Sequence, residues 1–174
     1  MKIAIISGSP RKSSKTILVM NHSYNYLKNQ SHQLDLIDLA DKNIEMYRGV
    51  DVDYNQATMD LINKLTEADI WIIGTPVYNS FFSSAVKNVF EYINYKNTAG
   101  KIAGLIIVAS GHIGFKSVQT NLTQLMSYFG VITNPNPVYI TVEELDKNNQ
   151  LSKELRLRLE NVLDETIELF EVNK

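Results

Sequence analysis

Residues 1–16 read MKIAIISGSPRKSSKT, an apolar run that stops at a glycine and gives way to hydroxyls and cations. Ile3, Ala4, Ile5 and Ile6 are continuous, the pattern of a short strand buried on both faces. Ile17, Met20, Tyr24 and Leu27 recur at helical spacing, which predicts a helix directly behind the turn. A strand-to-helix turn of this kind aims free backbone N–H groups and the positive end of a helix dipole at one spot. An anion fits there, above all a phosphate. Ser9, Ser14 and Thr16 bring O–H donors, and Arg11 adds a charge-assisted, bidentate-capable guanidinium. The same residues also suit a Ser-rich N-cap with a solvated Arg and Lys.

Two other phosphate loops are excluded. Gly-x-x-x-x-Gly-Lys-Ser/Thr is absent, since only Gly8 is a glycine here. The three spaced glycines of a dinucleotide fingerprint are absent too. A hydroxyl-rich loop suits a terminal phosphate monoester, as in a mononucleotide.

Composition narrows the class. With 174 residues and 44% hydrophobic content, a single domain spanning 1–174 with a substantial core is expected. The formal net charge is −2 and no basic patch dominates, which argues against a nucleic-acid partner. The absence of cysteine excludes disulfides, Cys-based zinc sites and thiol catalysis. His22, His32 and His112 lack metal-ligand spacing, so no metal is expected. No apolar run has the length of a membrane span, and no signal peptide is expected ahead of the first strand. The expectation is a cytoplasmic protein that engages no membrane.

Strands and helices alternate along the chain. Leu34, Leu36 and Ile37 mark a second strand at about 33–38, followed by a polar loop at roughly 40–54. Met59, Ile62 and Leu65 predict a helix at about 55–67, and 68–74 reads as a buried third strand. Phe82, Val86, Val89, Phe90 and Ile93 form a helical stripe. Residues 101–109 read as a fourth strand, and Val118, Leu122, Leu125, Met126 and Phe129 as the next helix. A short fifth strand is expected at 138–141, and Leu151 through Phe170 form the last helix. This order predicts an α/β three-layer sandwich, a five-stranded parallel sheet of flavodoxin-like order 2-1-3-4-5. Ligands of such sheets bind beyond the C-terminal strand ends, where strand order reverses. The loops at 8–15, 75–82 and 110–116 meet there.

The second loop reads GTPVYNSFFSSAVKNVFEY over 74–92. Together with Gly8-Ser9-Pro10-Arg11, Ser14 and Thr16 it resembles the NAD(P)H-dependent FMN reductase family, which includes flavin, azo, quinone and chromate reductases. Pro76, Tyr78, Asn79, Ser83, Lys87 and Asn88 fall in register with that family's second motif, and the resemblance extends over nearly the whole chain. Glu91 stands where Asp is usual, Val86 where Leu is frequent, and Ser83 where Pro is commoner. His112 sits where the third loop often has a glycine.

The resemblance implies FMN as cofactor and NADPH or NADH as hydride donor. It implies that Ser9, Arg11, Ser14 and Thr16 hold the phosphate. Pro76, Val77, Tyr78 and Asn79 would lie along the ring and ribityl chain, with Ser110, Gly111 and His112 at the other part of the ring. It implies no catalytic side chain, because hydride transfer to flavin N5 needs no protein acid, base or nucleophile. The acceptor would be a flavin, an azo compound or a quinone, with a flavin-dependent monooxygenase as a further partner, taking reduced flavin. FMN would either leave after reduction or stay bound throughout turnover. Members of the family look like homodimers or homotetramers.

Several side chains have two readings. His112 either stabilises negative charge at flavin N1 or is a polar residue that the loop tolerates. Lys87 and Asn88 are solvated, or else structural or interfacial. Phe81 faces solvent, a partner subunit or a substrate ring. Tyr92 and Tyr95 pack in the core or extend an oligomer contact. Tyr47 and Arg48 shape a substrate entrance or belong to a solvated loop. A flavodoxin carrier would have a phosphate loop ending in Gly-x-Thr, and often a strongly acidic surface; a receiver domain would have an acidic pair after the first strand and Asp where Thr75-Pro76 stands. A flavin-free interaction domain would leave both loops unexplained.

Overall fold

The computed structural model describes residues 1–41, 43–145, 148 and 150–174. Position 42, in the expected polar loop, lies outside them. The elements run β1 (Lys2–Ser7), α1 (Lys15–Lys28), β2 (Gln33–Asp38), α2 (Gln56–Glu67), β3 (Ile70–Pro76), α3 (Ser84–Glu91), β4 (Ile102–Ala109), α4 (Phe115–Tyr128), β5 (Ile132–Thr133), β6 (Val138–Thr141) and α5 (Lys153–Val172). The sheet order is β2-β1-β3-β4-β5, with β6 also paired to β4, and every pairing is parallel. This is the expected flavodoxin-like order with one strand more.

The extra strand has a local cause. Ile132–Thr133 pairs with Ile102 and Ala103, and Val138–Thr141 with Ile106 through Ala109. Four residues, Asn134-Pro135-Asn136-Pro137, face two on β4. Two prolines lack the N–H that a ladder needs, so the edge strand bulges there and resumes. Asn134 steadies the bulge: its N–H donates to the Ala103 carbonyl at 2.8 Å, and its buried amide donates to Thr166 Oγ1 at 3.0 Å.

Other boundaries shift for similar reasons. β3 starts at Ile70, two residues later than expected, because Ala68 is the extended C-cap of α2. α3 starts at Ser84, because Ser83 takes the N-cap and leaves Phe82 before the helix. Leu151 precedes α5 and forms a lone bridge with Leu145.

Alternation along the inner strands divides the core. Ala4, Ile6, Trp71, Ile73, Leu105 and Ile107 face α2, α3 and α4, while Ile3, Ile5, Ile70, Ile72 and Ile106 face α1 and α5. Trp71 is fully buried; its indole N–H donates to the Leu65 carbonyl at 2.9 Å, and its ring meets Phe90 edge-on at 5.3 Å. Lys101 is buried beside it, and its ammonium donates to the carbonyls of Thr66 (2.8 Å) and Ala68. Burial lowers the Lys101 pKa below its ordinary value, while carbonyls at the α2 C-terminus accept hydrogen bonds from its ammonium. Among the described residues, no helix is long and apolar enough to cross a membrane.

α1 and α5 are joined at their outer edges. His22 Nε2 lies 3.0 Å from Glu160 Oε1, and the Tyr26 hydroxyl donates to Asp164 Oδ2 at 2.7 Å. That hydrogen bond, followed by burial, pushes the Tyr26 pKa up to about 12. A raised tyrosine pKa means that the folded protein holds this proton after the unfolded chain has lost it. The contribution is therefore complete below the ordinary tyrosine pKa and is lost as pH climbs toward 12. In urea unfolding followed against pH, Tyr26→Phe is expected to flatten the alkaline fall in stability; a variant curve parallel to wild type would contradict this.

Candidate functional site

The switch point lies between β1 and β3, where Ser7 pairs with Gly74. The ladder extends one step further, with the Gly8 N–H donating to the Gly74 carbonyl at 2.7 Å. A Cβ on Gly8 would collide with Val86 Cγ2 and with that carbonyl oxygen, so this crossing requires glycine. Ser83 secures it from the other side. Its hydroxyl donates to the Gly8 carbonyl, accepts from Val86 N at 3.2 Å and so caps α3. Its own N–H donates to Thr75 Oγ1 at 3.2 Å. One serine thus ties the first loop to the second.

From Gly8 the first loop wraps the N-terminus of α1. Ser9 is buried, and its hydroxyl accepts from Arg11 N at 3.2 Å. Ser13 takes a left-handed backbone (φ 46°), which turns the chain into the helix. Ser14 is the N-cap and accepts from Ile17 N at 3.1 Å. Thr16 is buried in the first turn, where helix N–H groups lack intrahelical acceptors. Arg11, Lys12 and the half-exposed Lys15 make this end of the loop cationic.

The second loop is a tight hairpin. Tyr78 and Phe81 exchange N–H···O bonds, both 2.9 Å, around Asn79 and Ser80, whose φ values are 50° and 62°. Two positive φ values in a two-residue turn are the type I′ arrangement. Val77 N donates to the Val108 carbonyl at 2.9 Å and keeps the loop on β4. The third loop presses against it. Gly114 (φ 93°) caps α4, and a Cβ there would stand 2.8 Å from Val77 Cγ1 and 3.2 Å from Ser80 Cα.

These loops enclose a cleft of about 430 Å³. Its walls contain Ser9, Arg11, Ser14 and Thr16 from the first loop and helix start, Pro76, Val77 and Tyr78 from the second, and Ser110 from the third. Asn79 sits at the exposed hairpin tip, outside the lining. Gly111 and His112 also lie outside it; His112 is exposed, its ring 6.3 Å from that of Phe115. Residues not anticipated from the sequence complete the walls: Ser13, Lys15, Val108, Ala109 and Val142. Ser13 and Lys15 lie in the same 7–16 stretch as the expected anion ligands, flanking Ser14. Val142 carried no local signal.

The expected polar loop is held rather than free. Asn88 accepts from Tyr47 N at 2.8 Å and donates to the Glu45 carbonyl at 2.9 Å, and Tyr92 donates to the same carbonyl at 2.7 Å. Tyr92 meets Tyr47 and Tyr54 edge-on at 5.2 and 4.9 Å. Burial first, then Tyr54 and Glu45, push the Tyr92 pKa up to about 12. Asn88 and Tyr92 are therefore structural within this chain. Lys87 forms an exposed ion pair with Glu91, which gives the unusual Glu91 a local role. Phe81 is 46% exposed and leans on Phe82; Tyr95 is also exposed.

A family model described as NADPH-dependent FMN reductase matches residues 1–145. The chain is 25% identical over 173 residues to an NAD(P)H-dependent FAD/FMN reductase of Geobacillus thermodenitrificans (strain NG80-2), covering 97% of this chain and 93% of that protein. It is 26% identical over 170 residues to an NADPH azoreductase of Bacillus sp. (strain OY1-2), covering 95% and 90%. The fold is shared with FerB, a flavoenzyme NAD(P)H:(acceptor) oxidoreductase from Paracoccus denitrificans, with a TM-score of 0.79 at 20% identity over 99% of this chain and 98% of that one.

The junction at Gly8 and Ser83 makes a direct prediction. Gly8→Ala is expected to lose about 1–3 kcal/mol by overpacking. Ser83→Ala is expected to lose about 1–2 kcal/mol with its helix cap. Urea unfolding of the two variants measures both; wild-type stability in either would contradict the assignment.

Proposed function

We propose, since the chain belongs to the NADPH-dependent FMN reductase family, that it is an NAD(P)H-dependent FMN oxidoreductase whose cofactor lies in the cleft between the three loops. The observation that carries this is the make-up of that cleft: hydroxyls and a guanidinium at a helix N-terminus at one end, and apolar walls at the other. A volume of about 430 Å³ is within the range of small-molecule sites. FMN, when bound, supplies hydride acceptance at its N5.

The chain's own residues bind and orient. Ser9, Ser14, Thr16 and Arg11 are assigned to the phosphate, with Lys15 adding positive charge. Pro76, Val77 and Tyr78 are assigned to the ring and ribityl chain, with Asn79 shaping the hairpin that presents them. Ser110 is assigned to the far side of the ring, and Gly111 and His112 to the loop that continues from it. Pro76, Val77 and Val108 exclude water from the ring end, while the exposed Tyr78 leaves a side open to a nicotinamide or an acceptor. No side chain is assigned an acid, base or nucleophilic role.

Residues 1–174 form one FMN-binding domain, a unit supported by the packing of α5 against the same sheet. Small-molecule electron acceptors fit an open ring face: a flavin, a quinone or an azo compound. The azoreductase relative favours the azo compound as a second reading, with FMN retained through turnover. Reduced flavin passed to a flavin-dependent monooxygenase is a further outlet. A cytoplasmic setting fits the use of NAD(P)H. A homodimer or homotetramer would cover the exposed Phe81 and Ile113.

Stopped-flow mixing of FMN-loaded protein with NADPH or NADH tests the activity. Bleaching of the visible flavin band, then turnover on added FMN or azo dye, is expected; FMN binding without bleaching would leave a carrier, and no FMN binding would reject the site. For the phosphate assignment, Arg11→Ala is expected to weaken FMN about tenfold, the scale of one lost charge-assisted hydrogen bond. Riboflavin, which has no phosphate, should bind this variant as it binds wild type, and an equal loss for both flavins would overturn the assignment.

A further inference from the structure

We propose that Arg158 is a positioning residue for the flavin ring, because it clamps the turn that sets Val142 in the cleft wall. The proposal rests on the cleft being the FMN site. Beyond β6 the chain makes one short 3-10 turn over Val142–Glu144. Short turns of this kind have poor hydrogen-bond geometry and little cooperativity of their own. Side chains fix this one. Glu144 Oε2 accepts from Thr141 N at 2.7 Å and from Thr141 Oγ1 at 3.2 Å, so the turn closes on itself.

A turn closed only on itself still swings about its two ends. Arg158 of α5 removes that freedom. Its Nη1 donates to Glu144 Oε1 at 2.6 Å, and its Nη2 donates to the Tyr139 carbonyl at 2.6 Å. One planar guanidinium therefore bridges the strand before the turn and the carboxylate at its end. A lysine ammonium has no such fixed fork. Burial alone would raise the Glu144 pKa, but the Thr141 amide and Arg158 hold it below the usual carboxylate value. The carboxylate thus stays charged and keeps both partners.

The place of this clamp gives it a function. Val142 lines the same cleft as Pro76, Tyr78 and Ser110. In the sheet, β3 and β4 separate β6 from β1. The phosphate loop follows β1 and Val142 follows β6, so Arg158 acts at the end of the cleft away from the phosphate. Its printed partners, Glu144 and the Tyr139 carbonyl, flank Val142, and it works through that residue.

The test measures dissociation constants of FMN and riboflavin, from flavin fluorescence, for the full chain. Wild type, Arg158→Met, Val142→Ala and the double variant are compared. Arg158→Met is expected to weaken both flavins about fivefold and to alter the visible circular dichroism of the bound ring, a modest coupling. The double variant should lose no more than the worse single variant, because the two residues act in series. The proposal is overturned if folded Arg158→Met binds both flavins as wild type does, if its loss is confined to FMN, or if the two single losses multiply. Should Arg158→Met fail to fold, Glu144→Ala breaks the same clamp and is read by the same outcomes. A wild-type protein that binds neither flavin would reject the FMN site, and this assignment with it.

Discussion

The crossing of Gly8 beneath α3 is the constraint on which the site depends. The Gly8 amide continues the β1–β3 ladder onto Gly74, and the Ser83 hydroxyl holds the Gly8 carbonyl from above. Both backbone polar groups of the buried Gly8 are thereby satisfied without any side chain there. Ser83 also caps α3 and receives Val86 N, so the cap and the loop clamp are one interaction. From that fixed point the first loop leaves in one direction and the Tyr78–Phe81 hairpin in the other. The third loop then settles on the hairpin, where Gly114 admits Val77 and Ser80 at close range.

The cleft combines two environments because its walls come from different sources. The α1 terminus and its hydroxyls form a polar, cationic end suited to an anion. Val108 and Ala109 come from the end of β4, and Val77, just past β3, is tied to it by its N–H bond to the Val108 carbonyl. Val142 is the exception, a side chain on a short turn. Outside the cleft, Asn88 and Tyr92 use α3 to pin the long loop at Glu45 and Tyr47. The same helix therefore steadies the first loop with its N-cap and the 43–55 loop with its last turn.

Much of this was legible in the residues. The continuous apolar runs of β1, β3 and β4 are what strands covered on both faces require. Helical stripes identified α1 through α5. The make-up of the first loop was legible because it is local: hydroxyls, an arginine and a helix start lie within ten residues. The extra strand β5 was not legible, since two residues carry no period and its identity comes from pairing with Ile102 and Ala103. The α3 boundary was blurred because Phe82 and Ile93 extend the apolar stripe beyond the helix. Asn88 and Tyr92 were ambiguous for a different reason: their partners lie more than forty residues away.

The sequence by itself determined the layers, the strand order and the make-up of the first loop, because periodicity and helix-end chemistry act over short stretches of chain. Only the tertiary structure decided that Gly8 needs to be glycine, that Ser83 reaches its carbonyl, and that Arg158 holds the turn behind Val142. Those are contacts between side chains and backbone remote in sequence. A close approach or a bridging guanidinium is a property of distances in space, and no pattern of neighbours along the chain encodes it.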